Sequence, residues 1–312
     1  MGNHRRIGDA ETDSESIDDL PEACIANAMS FTTPRDACRL STLSSAFKSA
    51  SESDALWEKF LPQNYKKIIA SSSDRTLMDR CPTKKELFLH LADNPLFVDG
   101  GLKSFSLAKS SGKIQYMLSA RGMTIIWADT PAYWAWASNP KSRFSEVAEL
   151  LCVCWLEIRG KINTSMLSRR TLYAAYFVFQ LKTRAYGFDY TPVKISVGLV
   201  GTEPSKREVC LDTRKRRSRR GVIVLRRRFF PFRRASELPT PTPVVSDQDD
   251  AETNGVTERG DGWLEVELGE YFNGDESENE ELEMCVMEVE HGEWKVGLVV
   301  HGIEVRPKHV LT

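Results

Sequence analysis

No segment of this 312-residue chain comes near the ~18 consecutive apolar residues of a membrane-spanning helix. Its most apolar runs, Leu150–Leu156 and Tyr173–Phe179, are of strand length. The first residues, MGNHRRIGDAETDSESIDD, have no apolar centre, which argues against a secretory signal. Arg6 stands where myristoylation after Met1-Gly2 needs Ser or Thr. No Cys-x-x-Cys pair occurs and the five histidines are scattered, so neither a zinc site nor any other metal or cofactor is expected. The seven cysteines are odd in number and show no disulfide framework, as in a protein of a reducing compartment. Cys152 and Cys154 fall inside an apolar strand pattern and read as two packed thiols. Ser/His/Asp groupings and phosphate-binding glycine loops are also missing, so the chain is not expected to be an enzyme.

A large net charge is missing too: 42 Lys+Arg against 44 Asp+Glu leave −2. The small total hides segregation. Arg214–Arg234 carries eleven basic residues and no acid, whereas Asp247–Glu293 carries eighteen acids against the single Arg259. The run Arg214, Lys215, Arg216, Arg217, Ser218, Arg219 and Arg220 reads as a nuclear-import signal, a nucleic-acid patch or a solvated loop. Nucleic acid and membrane are not expected partners, and the expected location is cytoplasmic and nuclear.

Length suggests about two domains at ~150 residues each. Residues 1–16 read as a disordered acidic tail. Residues 17–62 have helical texture: Pro21 opens a helix reaching Ser30, Thr33-Pro34 caps another, and Ser53 caps Asp54–Leu61. The stretch 63–98 reads as a helical linker, with a capping box at Thr83-Lys84-Lys85-Glu86. From 99 onward short strands follow one another, with Val147–Ile162 and Leu172–Lys182 apolar on both faces. No helices alternate with them, which favours an antiparallel β-sandwich over a parallel sheet. Residues 213–258 read as a flexible basic and Pro-rich insertion in it. The expected fold class is α+β, helices first and sandwich second.

Residues 17–60 resemble an F-box. The marks are Leu20-Pro21, Ile25, Pro34-Arg35-Asp36, Leu40, Phe47 and the closing Leu56-Trp57. The resemblance implies docking on a Skp-type adaptor, and through it on a cullin of an SCF ubiquitin ligase, with Leu20, Pro21, Ile25, Leu40, Phe47 and Trp57 as adaptor-binding residues. Residues from about 99 to the end resemble the phloem protein 2 (Nictaba-like) lectins. That resemblance rests on Thr124–Trp136, Phe144–Leu150, Val153–Lys161, Asp261–Asn273 and His301–Pro307. It implies a jelly-roll-like sandwich that binds N-acetylglucosamine-containing glycans through Trp127, Trp134, Glu281 and Glu288. The chemistry suits sugars, because an indole offers a flat face and one donor while carboxylates accept hydroxyls. The Asp129-Thr130-Pro131 turn favours a loop location for both tryptophans, whereas Trp155 and Trp263 read as core. Glu281 and Glu288 are an odd number of residues apart, so a straight strand sends them to opposite faces. The combined expectation is a glycoprotein receptor of a ubiquitin ligase. Two other readings fit the same residues: a phloem-type lectin with a vestigial F-box, or a ligase receptor that reads a peptide.

Overall fold

The helices begin where the sequence supplies caps. The computed structural model describes residues 20–212, 255–275 and 279–308. α1 (Glu22–Met29) follows Pro21 directly. Thr33 caps α2 (Pro34–Leu40), its Oγ1 accepting the Asp36 amide at 3.1 Å, and Pro34 fills the first helical position. Ser44 caps α3 (Ser45–Glu52), a helix that the sequence reading does not separate. α4 (Asp54–Phe60) starts after Ser53, but the Ser53 side chain makes no cap hydrogen bond. α5 (Tyr65–Ser71) and α6 (Leu77–Arg80) are short, and α7 (Lys84–Asp93) is capped by Thr83, which accepts the Glu86 amide at 3.2 Å.

The stretch 63–98 is not a linker. Residues 74–94 cluster with 20–70 and with the turn 107–113 into one compact unit. The cause is aromatic packing: Phe88 of α7 is fully buried and lies 5.2 Å from the Trp57 ring and 6.5 Å from Phe60. The Trp57 indole donates to the Ser51 carbonyl at 2.7 Å. Ile25 and Trp57, read as adaptor-facing, are therefore core residues, 2% and 1% exposed. A helical unit this small needs both to close its own interior.

The second unit is built from antiparallel strands: β1 (Leu96–Val98), β2 (Lys103–Leu107), β3 (Ile114–Ser119), β4 (Thr124–Ile125), β5 (Trp134–Ala137), β6 (Val147–Leu150) and β7 (Leu156–Asn163). β8 (Thr171–Tyr186), β9 (Val193–Leu199), β10 (Ser205–Val209), β11 (Val256–Glu258), β12 (Leu264–Asn273), β13 (Glu281–Glu288) and β14 (Val296–Pro307) follow. Among the described residues one sheet runs β1-β2-β3-β14-β8-β12-β11, with β6 also on β14 and β5 on β6. The other runs β10-β9-β13-β7-β4. The chain crosses repeatedly from one sheet to the other, the connectivity of a jelly-roll-like sandwich. The two inner faces meet closely: a Cβ on Gly160 of β7 would lie 3.1 Å from Ile303 of β14, and one on Gly269 of β12 would lie 3.3 Å from Val197 of β9.

Three details differ from the sequence reading. Val147–Ile162 is two strands, because β6 belongs to one sheet and β7 to the other, and residues 151–155 carry the chain across. Cys152 and Cys154 sit half-buried on that crossing rather than packed within a strand, and Trp155 is 42% exposed rather than core. The sheet resumes at Val256, inside the stretch read as insertion. The acidic tail 1–16 and the basic run from Arg214 to Arg220 lie outside the described residues.

Trp263 is fully buried, as expected, and anchors a small second core with Met117, Phe144, Val147, Val178 and Val299. His301 stacks on it, with ring centroids 4.3 Å apart, and meets Phe144 edge-on. Neither His301 nitrogen has a hydrogen-bond partner among the described residues. Burial, reinforced by the Arg143 and Arg259 guanidiniums and only partly offset by Asp261 and Glu304, pulls its pKa down to about 3. The imidazole is therefore neutral in the fold but protonates near pH 6.5 when unfolded, so stability is full above pH 6.5 and falls as the pH drops toward 3. Between pH 6 and pH 5 we expect the sandwich to lose about 1 kcal/mol through this residue. His301→Phe, followed by urea denaturation at both pH values, should remove that loss; an unchanged slope refutes the assignment.

Candidate functional site

The site is organised by a turn that follows β4. β4 pairs with β7, Thr124 opposite Arg159 and Ile125 opposite Ile158, and the Ile126 amide continues the ladder to the Glu157 carbonyl at 3.0 Å. The chain then folds back through the amide–carbonyl pairs Ala128–Ile125, Thr130–Trp127 and Tyr133–Thr130. Trp127 sits in the middle of this turn with φ at 60°. A bulky residue in the left-handed region costs on the order of 1–3 kcal/mol and persists only where its surroundings enforce it.

Two neighbouring tryptophans enforce it. Trp134 and Trp136 lie on the same face of β5, two residues apart, and both indoles donate back into the turn. Trp134 reaches the Ile126 carbonyl at 3.1 Å and Trp136 the Ala128 carbonyl at 2.9 Å. The Arg121 guanidinium lies 3.5 Å from the centre of the Trp136 ring and is itself paired with Glu146 at 2.9 Å. Trp127 is left 40% exposed, its ring 5.3 Å from Tyr133 and its own indole N–H without a partner among the described residues. Trp127 thus presents a face and a donor to solvent. Trp134, expected beside it in a loop, is instead on β5, 3% exposed, with its donor already used.

The two glutamates are not brought together. They stand at the two ends of β13, seven residues apart and hence about 23 Å along an extended strand. Glu281 is opposite Asn163, exposed, and paired with Lys161 at 3.2 Å; this is the end of the sheet away from Trp127. Glu288 is opposite Leu156, at the Trp127 end, but points inward and is 3% exposed. Its carboxylate binds the ammonium of Lys295, which is fully buried, and accepts the amides of Glu290 at 3.1 Å and His291 at 2.9 Å. Burial alone would raise its pKa, yet the hydrogen bonds from Lys295 and His291 hold it below the usual carboxylate range. Glu288 is a structural anion.

The half-buried carboxylate on the strand beside the Trp127 turn is one that the sequence reading passed over. Glu157 accepts the Trp155 indole at 2.9 Å and Arg159 at 2.8 Å, and these bonds hold its pKa down. The outer face of this sheet continues as an ion-pair ladder, Arg159 to Glu283 at 3.1 Å and Lys161 to Glu281. Period-two alternation along β7 was the available signal: Glu157, Arg159 and Lys161 share one face, and Trp155 precedes them in the same phase.

In the helical unit, Leu20 is 49% exposed, Pro21 is exposed, and Leu40 and Phe47 are half-buried. Phe31 and Leu43, which the sequence reading did not single out, are 83% and 67% exposed. Scattered apolar residues are normal on a surface, but the three large exposed side chains Leu20, Phe31 and Leu43 are a concentration for so small a unit.

The phloem protein 2 family model matches residues 113–307, and the F-box domain model matches residues 17–59. F-box protein PP2-B1 of Arabidopsis thaliana is 42% identical over 313 residues, covering 95% of this chain and 91% of the relative. F-box protein PP2-B10 of the same plant is 41% identical over 312 residues, covering 100% of both, and F-box protein VBF is 41% identical over 93% of this chain and 99% of its own length. The chain also aligns with the structure of a GH26-CBM35 β-(1,4)-mannanase from Podospora anserina, at 9% identity and a TM-score of 0.29, over 64% of this chain and 28% of that one. At that score the likeness carries no argument.

Because Glu288 and Lys295 form a buried pair, removing one partner strands the other. Lys295→Met should cost about 3–5 kcal/mol, whereas the double variant Glu288→Leu/Lys295→Met should recover most of that loss. Urea denaturation of the three proteins tests this, and equal losses in the single and double variants contradict it.

Proposed function

The chain belongs to the F-box proteins that carry a phloem protein 2 domain, and on that premise we propose that it is a substrate receptor of an SCF-type ubiquitin ligase whose sandwich reads glycans. The helical unit would dock on a Skp-type adaptor, and through it on a cullin. Its docking surface would be the exposed apolar residues Leu20, Pro21, Phe31 and Leu43, flanked by Leu40 and Phe47, while Ile25 and Trp57 act from the interior by holding the helices in place. The sandwich would bind N-acetylglucosamine-containing glycoproteins in the nucleus and cytoplasm.

The observation that carries the glycan reading is the presentation of Trp127. A strained turn, clamped by two indole donors, holds one aromatic face and one free N–H toward solvent. A pyranose offers a C–H face to the ring and hydroxyls to the indole and to an ionised carboxylate such as Glu157. Trp134 serves as a positioning residue, Glu288 as an internal support, and Glu281 belongs to the ion-pair ladder. The chain itself transfers no ubiquitin in this reading. It raises the effective concentration of the bound target near enzymes that do.

The two halves separate experimentally. In the full chain, Leu20→Ala/Pro21→Ala should lose co-purifying adaptor and keep chitin-oligomer binding. Trp127→Ala should keep the adaptor and bind chitin oligomers at least tenfold more weakly, about 1.4 kcal/mol. Adaptor retained in the first variant points to a different docking face, and no adaptor on the unmutated chain points to a vestigial F-box. Undiminished sugar binding in the second refutes the glycan site.

A further inference from the structure

Among the described residues, the sandwich leaves six large aromatic side chains at least 40% exposed: Trp127, Trp155, Tyr186, Tyr190, Phe272 and Trp294. Five of them gather at one end of it. Backbone contacts trace the connection. The Leu151 amide donates to the Tyr133 carbonyl at 2.8 Å, joining the segment that follows β6 to the Trp127 turn. Val153 and Lys295 exchange both backbone hydrogen bonds, at 3.0 and 2.7 Å, which brings Trp155 and Trp294 to the two sides of one bridge. Tyr186 pairs with Val296, and the Trp294 carbonyl passes so close to Gly187 that a Cβ there would lie 2.4 Å from it. Gly187 has φ at 86°, so the turn leading to Tyr190 is built for this approach. Each paired step is about 5 Å, so the backbone carries these five residues along one continuous rim that begins at the Trp127 turn.

We propose that this rim is an extension of the glycan site, with Trp155 and Trp294 as further sugar-stacking residues and an oligosaccharide of several pyranose units as the occupant. The proposal rests on the glycan reading of Trp127 and adds a direction to it: the glycan runs across the 151–155 crossing toward Trp294, and not along β13 toward Glu281. The chemistry of the rim favours a sugar chain over a protein surface. The core of a protein interface is a contiguous apolar patch depleted of charge. Here ring faces are interspersed with polar and charged groups, Glu157 bonded to Trp155 and the exposed His291 and Glu293 in the segment that leads to Trp294. A glycan presents apolar C–H faces and hydroxyls in the same alternation. The Trp155 indole is fixed on Glu157, so this ring contributes its face and not its donor. The buried Glu288–Lys295 pair holds the other side, because Lys295 also donates to the Glu293 carbonyl at 2.7 Å, tying down the segment that carries Trp294.

The test is calorimetric titration of the full chain with N-acetylglucosamine and with chitotetraose. Trp155→Ala and Trp294→Ala should each weaken chitotetraose at least fivefold while leaving N-acetylglucosamine unchanged, and Trp127→Ala should weaken both. Trp155→Phe, which keeps a ring and loses the bond to Glu157, should retain most of the chitotetraose affinity; a loss as large as that of Trp155→Ala means that Trp155 only positions Glu157 and overturns its assignment. If Trp127→Ala weakens both sugars and the other two alanine variants change neither, the extension is overturned and the Trp127 site stands. If Trp127→Ala changes neither sugar, both fall. Loss of a captured protein in the Trp155 and Trp294 variants with sugar binding intact makes the rim a protein-docking surface and overturns the proposal.

Discussion

Almost every feature of the sandwich depends on how closely β14 approaches its neighbours. It lies between β3 and β8, pairs over ten positions with β8, and also receives β6. Gly302 makes this possible. It is paired with Ser119 on one side and Val178 on the other, and a Cβ there would lie 1.9 Å from the Leu118 carbonyl. No side chain fits, and a substituted residue would have to force β3 away from β14. The register slips beside it, between Val300 and Gly302, and again between Val296 and Leu298. Such irregularities let a strand bend and re-aim its side chains. The first accompanies the turn of His301 onto Trp263 in the second core; the second lies beside Lys295, which reaches Glu288.

The same economy governs the site. Trp127 is held in a conformation that its side chain disfavours, and the two indole hydrogen bonds from β5, at about 1 kcal/mol each net, are of the same order as the strain. Preorganisation of this kind matters most for a weak site. A millimolar sugar contact is only about −4 kcal/mol, so a ring that had to be ordered on binding would lose much of it. The buried Glu288–Lys295 pair adds little net stability against an apolar substitute, but its geometry fixes the chain around Trp294.

Local chemistry was well written into the sequence. Thr33, Pro34 and Thr83 mark helix starts that the structure uses, and the odd spacing of Glu281 and Glu288 along β13 assigns them correctly to opposite faces. Trp263 could be placed in the core from its motif alone. What could not be read was the set of long-range choices. Val147–Ile162 is one continuous apolar pattern in sequence, and only the pairing of its first part with β14 and its second with β13 shows that it changes sheets. For the same reason Trp155 was taken for a core residue. Trp127 and Trp134 were equivalent beside the Asp129-Thr130-Pro131 turn, because nothing local indicates which indole faces the carbonyls and which faces solvent. Glu288 looked like an available carboxylate because its partner Lys295 lies beyond the end of its strand.

The near-zero net charge takes on a different meaning in the folded molecule. Among the described residues, the buried acids of the C-terminal third are paired and do not form a diffuse negative field. Glu304, buried, is held ionised by Arg259 at 2.7 Å, Arg306 at 2.9 Å and Arg143 at 3.8 Å, while Glu265 is shared between Arg259 and Arg306. Arg306 in turn lies 3.7 Å over the Tyr176 ring. The only Lys or Arg between Asp247 and Glu293, Arg259, is thus a hub rather than an exception. Burial raises the Glu304 pKa, and the three guanidiniums outweigh it, so the carboxylate stays charged well below neutral pH. Within the described part of the sheet these acids are neutralised in pairs, whereas at the Trp127 end the exposed rings stand among polar and charged groups such as Glu157.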